Sequence, residues 1–246
     1  VREGTELQTS LTGRGSSPLG TYRRIVAGDR GLVYFLYLET VTTLLGNLPG
    51  LLGLGLRAIF YRPLFGSIGR TVSIGRGVTL RQPHRIRLGD RVIVDDFVVL
   101  DAKGTSADGI DIGRGTIVNR GTVVSCKGGS IAIGDGCNIG QLSILHSESS
   151  IVLEEHCLLA AYCYLVAGGN HDFSRTDLPV ILQPSISRGG IRLGRGAWLG
   201  ADVTVMDGAT VGHDAVVGAK SLVVGDVPPL AVAYGTPARV ARSRVP

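Results

Sequence analysis

An apolar residue recurs at every sixth position along most of this chain. The unbroken run is Leu193, Leu199, Val205, Val211, Val217 and Val223, and Gly194, Gly200, Gly212 and Gly218 directly follow four of its members. The same beat is carried by Ile68, Ile74, Leu80 and Ile86, then by Leu88, Val94 and Leu100, and two periods on by Ile112, Val118 and Val124. It resumes at Ile133, Ile139 and Leu145, and again at Leu153, Leu159 and Leu165. A helix spaces apolar residues by three and four and an ordinary strand by two, so a period of six belongs to neither. It fits a solenoid of short strands, whose units cannot bury their apolar faces alone and stack on one another.

Three hexads close a triangular coil of eighteen residues if residue i points inward and residue i+4 is small. The i+4 positions are Val72, Val78, Thr116, Thr122, Cys137, Ser143, Cys157, Cys163, Ala197, Val203, Ala209, Ala215 and Ser221, all small. Coils of this kind stack at roughly 4.8 Å, the strand spacing of a parallel sheet. Over about residues 68–242 the pattern resembles the hexapeptide-repeat acyltransferases, in particular their sugar and xenobiotic O-acetyltransferase branch. The resemblance implies an all-β solenoid, a left-handed parallel β-helix, here preceded by an N-terminal helical, apolar extension.

Within 246 residues one solenoid and an extension fit comfortably. The 37 glycines suit a tight turn at each corner, where positive φ is expected. A net charge of +5 with 5% aromatic residues lacks the basic stripe with interleaved aromatics of a nucleic-acid binder. Cys126, Cys137, Cys157 and Cys163 show no CxxC spacing and read as buried free thiols. His146, His156 and His171 lack the spacing of the three-histidine zinc sites found in some β-helix proteins, so no metal is expected. No charged-then-apolar leader with a cleavage site is read, and a cytoplasmic location follows as the expectation.

Residues 1–20, rich in Gly, Ser and Thr, read as a disordered lead-in. Residues 21–67 form the apolar extension: Arg23, Arg24 and Arg30 precede an apolar stretch that Asn47-Leu48-Pro49-Gly50 divides. Each half falls short of the roughly 20 residues that span a bilayer. Two short helices lying in the membrane interface, or a shallow re-entrant hairpin, suit residues 21–66 at the inner face of the cytoplasmic membrane, the alternative being helices packed on the solenoid or a neighbouring subunit. The β-helix runs over 68–225, with a long loop at 168–190, and 226–246 read as a C-terminal tail.

His171 stands six residues after Leu165, where the next inward apolar residue is due, in the context Gly168-Gly169-Asn170-His171-Asp172-Phe173. An imidazole there makes sense if the chain departs from the coil, and long loops on compact repeats are usually functional. Imidazole titrates near neutrality and suits the removal of a proton from an attacking hydroxyl or amine. Members of the resembled family use a histidine in a matching loop motif in this way. Asp172 is a candidate to orient the loop or the ring, and Asn170 and Phe173 are candidate substrate contacts. His84 and His146 read as surface or subunit-packing residues.

Ala197-Trp198-Leu199-Gly200-Ala201-Asp202-Val203, Gly218-Ala219-Lys220-Ser221-Leu222-Val223 and Tyr234-Gly235-Thr236-Pro237-Ala238-Arg239-Val240-Ala241-Arg242 carry the rest of the resemblance. It implies acetyl-CoA lying along a groove between subunits of a homotrimer, with Ala201 and Ala219 along the pantetheine. Trp198 and Lys220 are further candidate contacts, and Arg239 and Arg242 are candidates for the nucleotide phosphates. Lys220 and Val224 depart from the family's usual Gly and Thr. Since the chain has no nucleophilic-serine elbow or HExxH motif, direct transfer without an acyl-enzyme is the expected mechanism. A saccharide acceptor in polysaccharide or lipid-linked saccharide biosynthesis is the leading reading. Acetylation of a soluble small molecule and a non-catalytic scaffold are the alternatives.

Overall fold

The structure, a computed structural model, describes residues 17–103 and 109–245. The expected lead-in lies outside the described residues up to Ser16, and its last residues belong to a helix: α1 (Pro18–Ala27) is capped by Ser17, whose Oγ accepts the Gly20 N–H at 3.1 Å. Two more helices follow, α2 (Leu32–Leu45) and α3 (Gly50–Phe60). From Ser67 onward the chain is a left-handed parallel β-helix. Its first coil is β1 (Ser67–Ile68), β2 (Ser73–Ile74) and β3 (Thr79–Arg81), and its seventh ends in β23 (Leu222–Val223). Among the described residues the strands form three sheets of seven, nine and seven members, with β1, β2 and β3 in one each.

Register explains the period of six. Ile133 pairs with Leu153, Ile139 with Leu159 and Leu145 with Leu165, so each inward residue stacks on its counterpart one coil on. Every small residue at i+4 is buried with them. Several of these residues also close hydrogen bonds between coils. Thr116 Oγ1 donates to the Gly134 carbonyl (2.8 Å), Thr122 Oγ1 to Gly140 (3.0 Å) and Ser143 Oγ to Ala160 (3.3 Å). Cys157 and Cys163 do the same through Sγ, to Gly194 and Gly200, both at 3.3 Å. A small side chain with a weak or strong donor thus ties each of these corners to a carbonyl of the next coil.

The glycines that directly follow an inward residue serve close approach. A Cβ on Gly140 would stand 2.3 Å from the Ala160 carbonyl carbon, and one on Gly200 2.6 Å from the Ala219 nitrogen. Left-handed backbone occurs two residues later, as expected at Gly77, Gly115, Gly121, Gly136 and Gly196, with φ between 66° and 70°, and in other corners at the non-glycine residues Leu142, His156, Tyr162, Asp202 and Lys220, with φ between 57° and 64°. Each such non-glycine residue carries a strain of about 1–2 kcal/mol that the stacked corner holds in place.

The helices seal the first coil. Arg57, 3% exposed, donates from Nε to the Ile74 carbonyl (2.8 Å) and from one Nη to those of Leu45 (2.9 Å) and Leu48 (2.8 Å). The Gly46 carbonyl accepts the Gly77 N–H (2.8 Å), and Arg62 reaches the Gly69 carbonyl (2.9 Å). The free edge of the first coil is thereby paired, and Leu38, Val41, Tyr61 and Leu64 extend the solenoid core. At the other end the residues expected as a tail form strands. β24 (Ala231–Gly235) joins the sheet beside β22 (Val216–Val217), and β25 (Ala238–Ser243) folds back antiparallel on it.

His84, expected at a surface or subunit contact, is buried where the helices meet the second coil, edge-on to the Tyr34 ring at 5.7 Å. Burial, reinforced by Arg30 and Arg85 and opposed by Asp29, holds its pKa down at about 4. The ring is neutral in the fold and takes up its proton more readily in the unfolded chain. Stability is therefore expected to fall as pH drops from 6.5 towards 4. Urea titrations across that window will show it, and His84→Met will flatten the loss.

Candidate active site

Paired glycines mark where the chain leaves the stack and where it returns. Gly168 and Gly169 have φ of 80° and 71°, and Gly189 and Gly190 have 108° and 92°, a backbone open to glycine without steric cost. Between them β16 (Asn170–His171) and β17 (Ser185–Ile186) form an antiparallel ribbon, with His171 opposite Ser185. The residue that would have pointed into the core is carried out of the coil, and His171 is exposed.

His171 Nδ1 lies 3.4 Å from the Gln183 carbonyl oxygen. A proton on Nδ1 donated there leaves the Nε2 lone pair available as a base. Gln183 is 4% exposed and its own side chain is fixed. Its Nε2 donates to the carbonyls of Arg175 (2.8 Å) and Leu178 (3.0 Å), while its Oε1 accepts the Arg175 N–H (3.2 Å). The ring is therefore set by a backbone carbonyl. Asp172 acts on the loop rather than on the ring: its Oδ1 accepts the Ser174 N–H at 2.8 Å, which holds its carboxyl below the ordinary range. Phe173, Val180, Ile181 and Leu182 are exposed and make the loop apolar towards solvent.

The Asn170 side chain, a candidate substrate contact, ties the loop to the stack through Asp207. The Asp207 carboxylate, 3% exposed, receives the Asn170 amide (3.3 Å) and the Ser149 hydroxyl (3.4 Å) from the departing side. From the returning side it receives the N–H groups of Arg188 (2.5 Å) and Gly190 (2.9 Å). One side chain thus clamps both feet of the loop. A signal for it exists in the sequence: the equivalent positions two residues after the inward residue are Cys126, Ser147 and Ala167, and Asp207 alone brings a charge to that row. Beside the departing glycines, Glu148 is held below the usual carboxylate range by His146 and by Lys127, whose Nζ lies 3.2 Å away.

The other candidate residues form a second group. Trp198 lies on β19 (Trp198–Leu199), outward and 47% exposed. Its register runs through Val216 and Val232 to Arg242, three strands away on the same sheet and roughly 14 Å along the stack. Arg239 pairs across the hairpin with Tyr234, and the guanidinium groups of the exposed Arg239 and Arg242 donate to the nearby carbonyls of Ala238 and Ser243. Ala201 and Ala219 stack at one corner, where the Lys220 N–H meets the Ala201 carbonyl at 2.8 Å. Lys220 Nζ is paired with Asp202 at 3.1 Å, an exposed ion pair left by the exchange of glycine for lysine. Among the described residues no hydrogen bond or ion pair links this group to His171. The loop leaves from the end of β15 (Tyr164–Ala167), whereas Ala201 stands just before β20 (Thr204–Met206), the strand that pairs with it. In one chain the loop and the Ala201 corner therefore stand at opposite ends of two neighbouring strands. Burial also takes the four cysteines out of the chemistry, pushing the thiol pKa of Cys126 up to about 12 and of Cys163 to about 11.

No protein-family model matches the chain. A protein of Mycobacterium tuberculosis named as an acetyltransferase is 28% identical over 135 residues, covering 55% of this chain and 44% of that protein. The Escherichia coli protein WcaF, named as a colanic acid biosynthesis acetyltransferase, is 30% identical over 137 residues, covering 56% of this chain and 71% of WcaF. The chain thus spans less than half the length of the first relative and most of the second. Among solved structures, AntD, an N-acyltransferase from Bacillus cereus crystallised with dTDP and 3-hydroxybutyryl-CoA, superposes with a TM-score of 0.53 at 19% identity, over 76% of this chain and 87% of AntD.

If Asp207 positions the loop, Asp207→Asn will lower kcat by about tenfold or more, since it leaves inward donors facing an amide. Coenzyme A affinity will stay unchanged and proteolysis between 172 and 189 will quicken, read against an unaltered circular-dichroism spectrum.

Proposed function

Because this chain belongs to the hexapeptide-repeat acetyltransferases, we propose that it moves an acetyl group from acetyl-CoA to a hydroxyl or amine of a saccharide, with His171 as the general base. The observation that carries this reading is the exposed His171 ring, its Nδ1 turned to the Gln183 carbonyl on a ribbon clamped at both feet. Nε2 takes the proton of the acceptor as its oxygen or nitrogen attacks the thioester carbonyl. The bond to sulfur then breaks, the acetyl group stays with the acceptor, and coenzyme A leaves as the thiol after receiving a proton. Transfer is direct, since the thiols are buried.

The active unit in this reading is a homotrimer with closed cyclic symmetry. Two observations support it: the apolar loop residues Phe173, Val180, Ile181 and Leu182 are uncovered in one chain, and the loop and the Ala201 corner stand at opposite ends of neighbouring strands. A neighbour would bring its Trp198 face and its Ala201–Ala219 corner to His171. The corner takes the pantetheine against small residues, and Arg239 and Arg242 take the phosphates. AntD holds an acyl-CoA together with dTDP, and WcaF is named for a polysaccharide pathway. Both support a saccharide acceptor in envelope polysaccharide or lipid-linked saccharide biosynthesis, at a cytoplasmic site where acetyl-CoA is at hand.

Thiol release from acetyl-CoA across a panel of sugars and lipid-linked saccharides tests this. Release is expected to require the acceptor and to fall by about 10²-fold or more in His171→Ala, with coenzyme A binding retained. Arg239→Ala with Arg242→Ala is expected to weaken coenzyme A binding about tenfold, as the loss of charge-assisted phosphate bonds implies. A protein that neither binds coenzyme A nor turns over any acceptor would instead be a scaffold.

A further inference from the structure

The side of the α2–α3 hairpin that faces away from the solenoid is uncharged and mostly apolar, with Thr40 and Thr43 as its exposed polar side chains on α2. On α2 the exposed Leu32, Val33, Leu36 and Leu44 fall within a sector of about 120°, and on α3 Leu51, Leu52 and Ile59 fall within about 100°. Val33, Leu51 and Leu52 are 84%, 87% and 71% exposed. The opposite side of α2 holds Phe35, Leu38 and Val41, which are buried. A helix apolar on every side belongs in surroundings that cover every side, and the solenoid covers one.

The charges of the hairpin have been withdrawn from that outer face. Glu39 accepts the Tyr22 hydroxyl at 3.0 Å, and Arg57 is buried against three carbonyls. From Gly31 to Phe60 the exposed polar side chains are Thr40, Thr43 and Asn47. The interfaces between protein subunits carry a polar rim and about one hydrogen bond per 100–200 Å², and this face offers few groups to make them.

Basic residues gather at one end. Tyr34 and Tyr37 donate their hydroxyls to the carbonyls of Leu64 (2.5 Å) and Phe60 (2.9 Å), so the start of α2 lies beside the end of α3. Arg30 and Arg62, both exposed, therefore flank the same end of the hairpin, with exposed Arg24 on α1 and Asp29 as the exposed acid among them. A bilayer with anionic headgroups complements that edge, and its acyl boundary complements the apolar face. The helices have 14 and 11 residues, and among the described residues no helix is long and apolar enough to cross a membrane. We propose that the α2–α3 hairpin is a docking surface for an anionic phospholipid bilayer, in which it lies along the interface.

Flotation of the full chain with vesicles tests this, using phosphatidylcholine alone and phosphatidylcholine mixed with phosphatidylglycerol. The protein is expected to float with the mixed vesicles, less with the neutral ones, and less again in high salt. Leu51→Asp combined with Leu52→Asp is expected to cut binding by about tenfold or more. Its melting temperature, sedimentation and turnover of a soluble acceptor should match the wild type, because both side chains are exposed. Failure of the wild type to float with either vesicle overturns the proposal. So does equal flotation with neutral lipid, or undiminished flotation of the variant. If the variant instead dissociates the wild-type oligomer, the face belongs to a second copy. Vesicle binding is read without acetyl-CoA, so it stands or falls separately from the acyl-transfer reading.

Discussion

The stacking of one coil on the next is the constraint from which the other features follow. Inward residues repeat at six because each must lie on its counterpart, as Leu145 lies on Leu165 and Leu165 on Val205. Corners come so close that glycine is required at Gly140 and Gly200, and the interior corner position admits little beyond Ala, Val, Ser, Thr or Cys. The hydroxyls and thiols at that position are part of the backbone accounting: those of Thr116, Cys157 and Cys163 answer a carbonyl of the following coil, and that of Ser221 answers Gly218 in its own. Serine, threonine and cysteine are thus equivalent here for a reason unrelated to reactivity.

A stack of strands has two open edges, and the protein closes them with different chemistry. At one end arginine side chains and helix carbonyls take up the orphan groups of the first coil. At the other a hairpin folds back on its own sheet and presents an exposed basic strand. Both devices prevent end-to-end growth of the sheets, and each leaves a distinct surface behind: an uncharged apolar face at one end and a cluster of arginines at the other.

Much of this was legible in the residues. The hexad run from Leu193 to Val223 carries the fold because the period follows directly from stacking, and the missing beat at His171 marks the departure of the loop for the same reason. What lay beyond the sequence depended on groups meeting from distant positions. The tie of Asn170 to Asp207 was hidden because Asp207 is far along the chain and becomes its neighbour only when the coils stack. His84 read as a surface residue because helices that precede it in sequence fold back to cover it. The glycines were legible as sites of positive φ, as at Gly115 and Gly196, whereas the need for space at Gly140 and Gly200 emerges only when the coils stack.

The place at which the loop leaves the stack has a consequence of scale. β15, from which it departs, closes the fifth coil, so the root of the His171 ribbon stands four coil spacings, or roughly 19 Å, beyond the first. With the helical end flat on a bilayer and the solenoid upright, coil number becomes a ruler. An acceptor tethered in the lipid would then have to present its hydroxyl about two nanometres above the headgroups. A sugar joined directly to its anchor would lie too low, whereas one several residues out along a chain would stand at the right height.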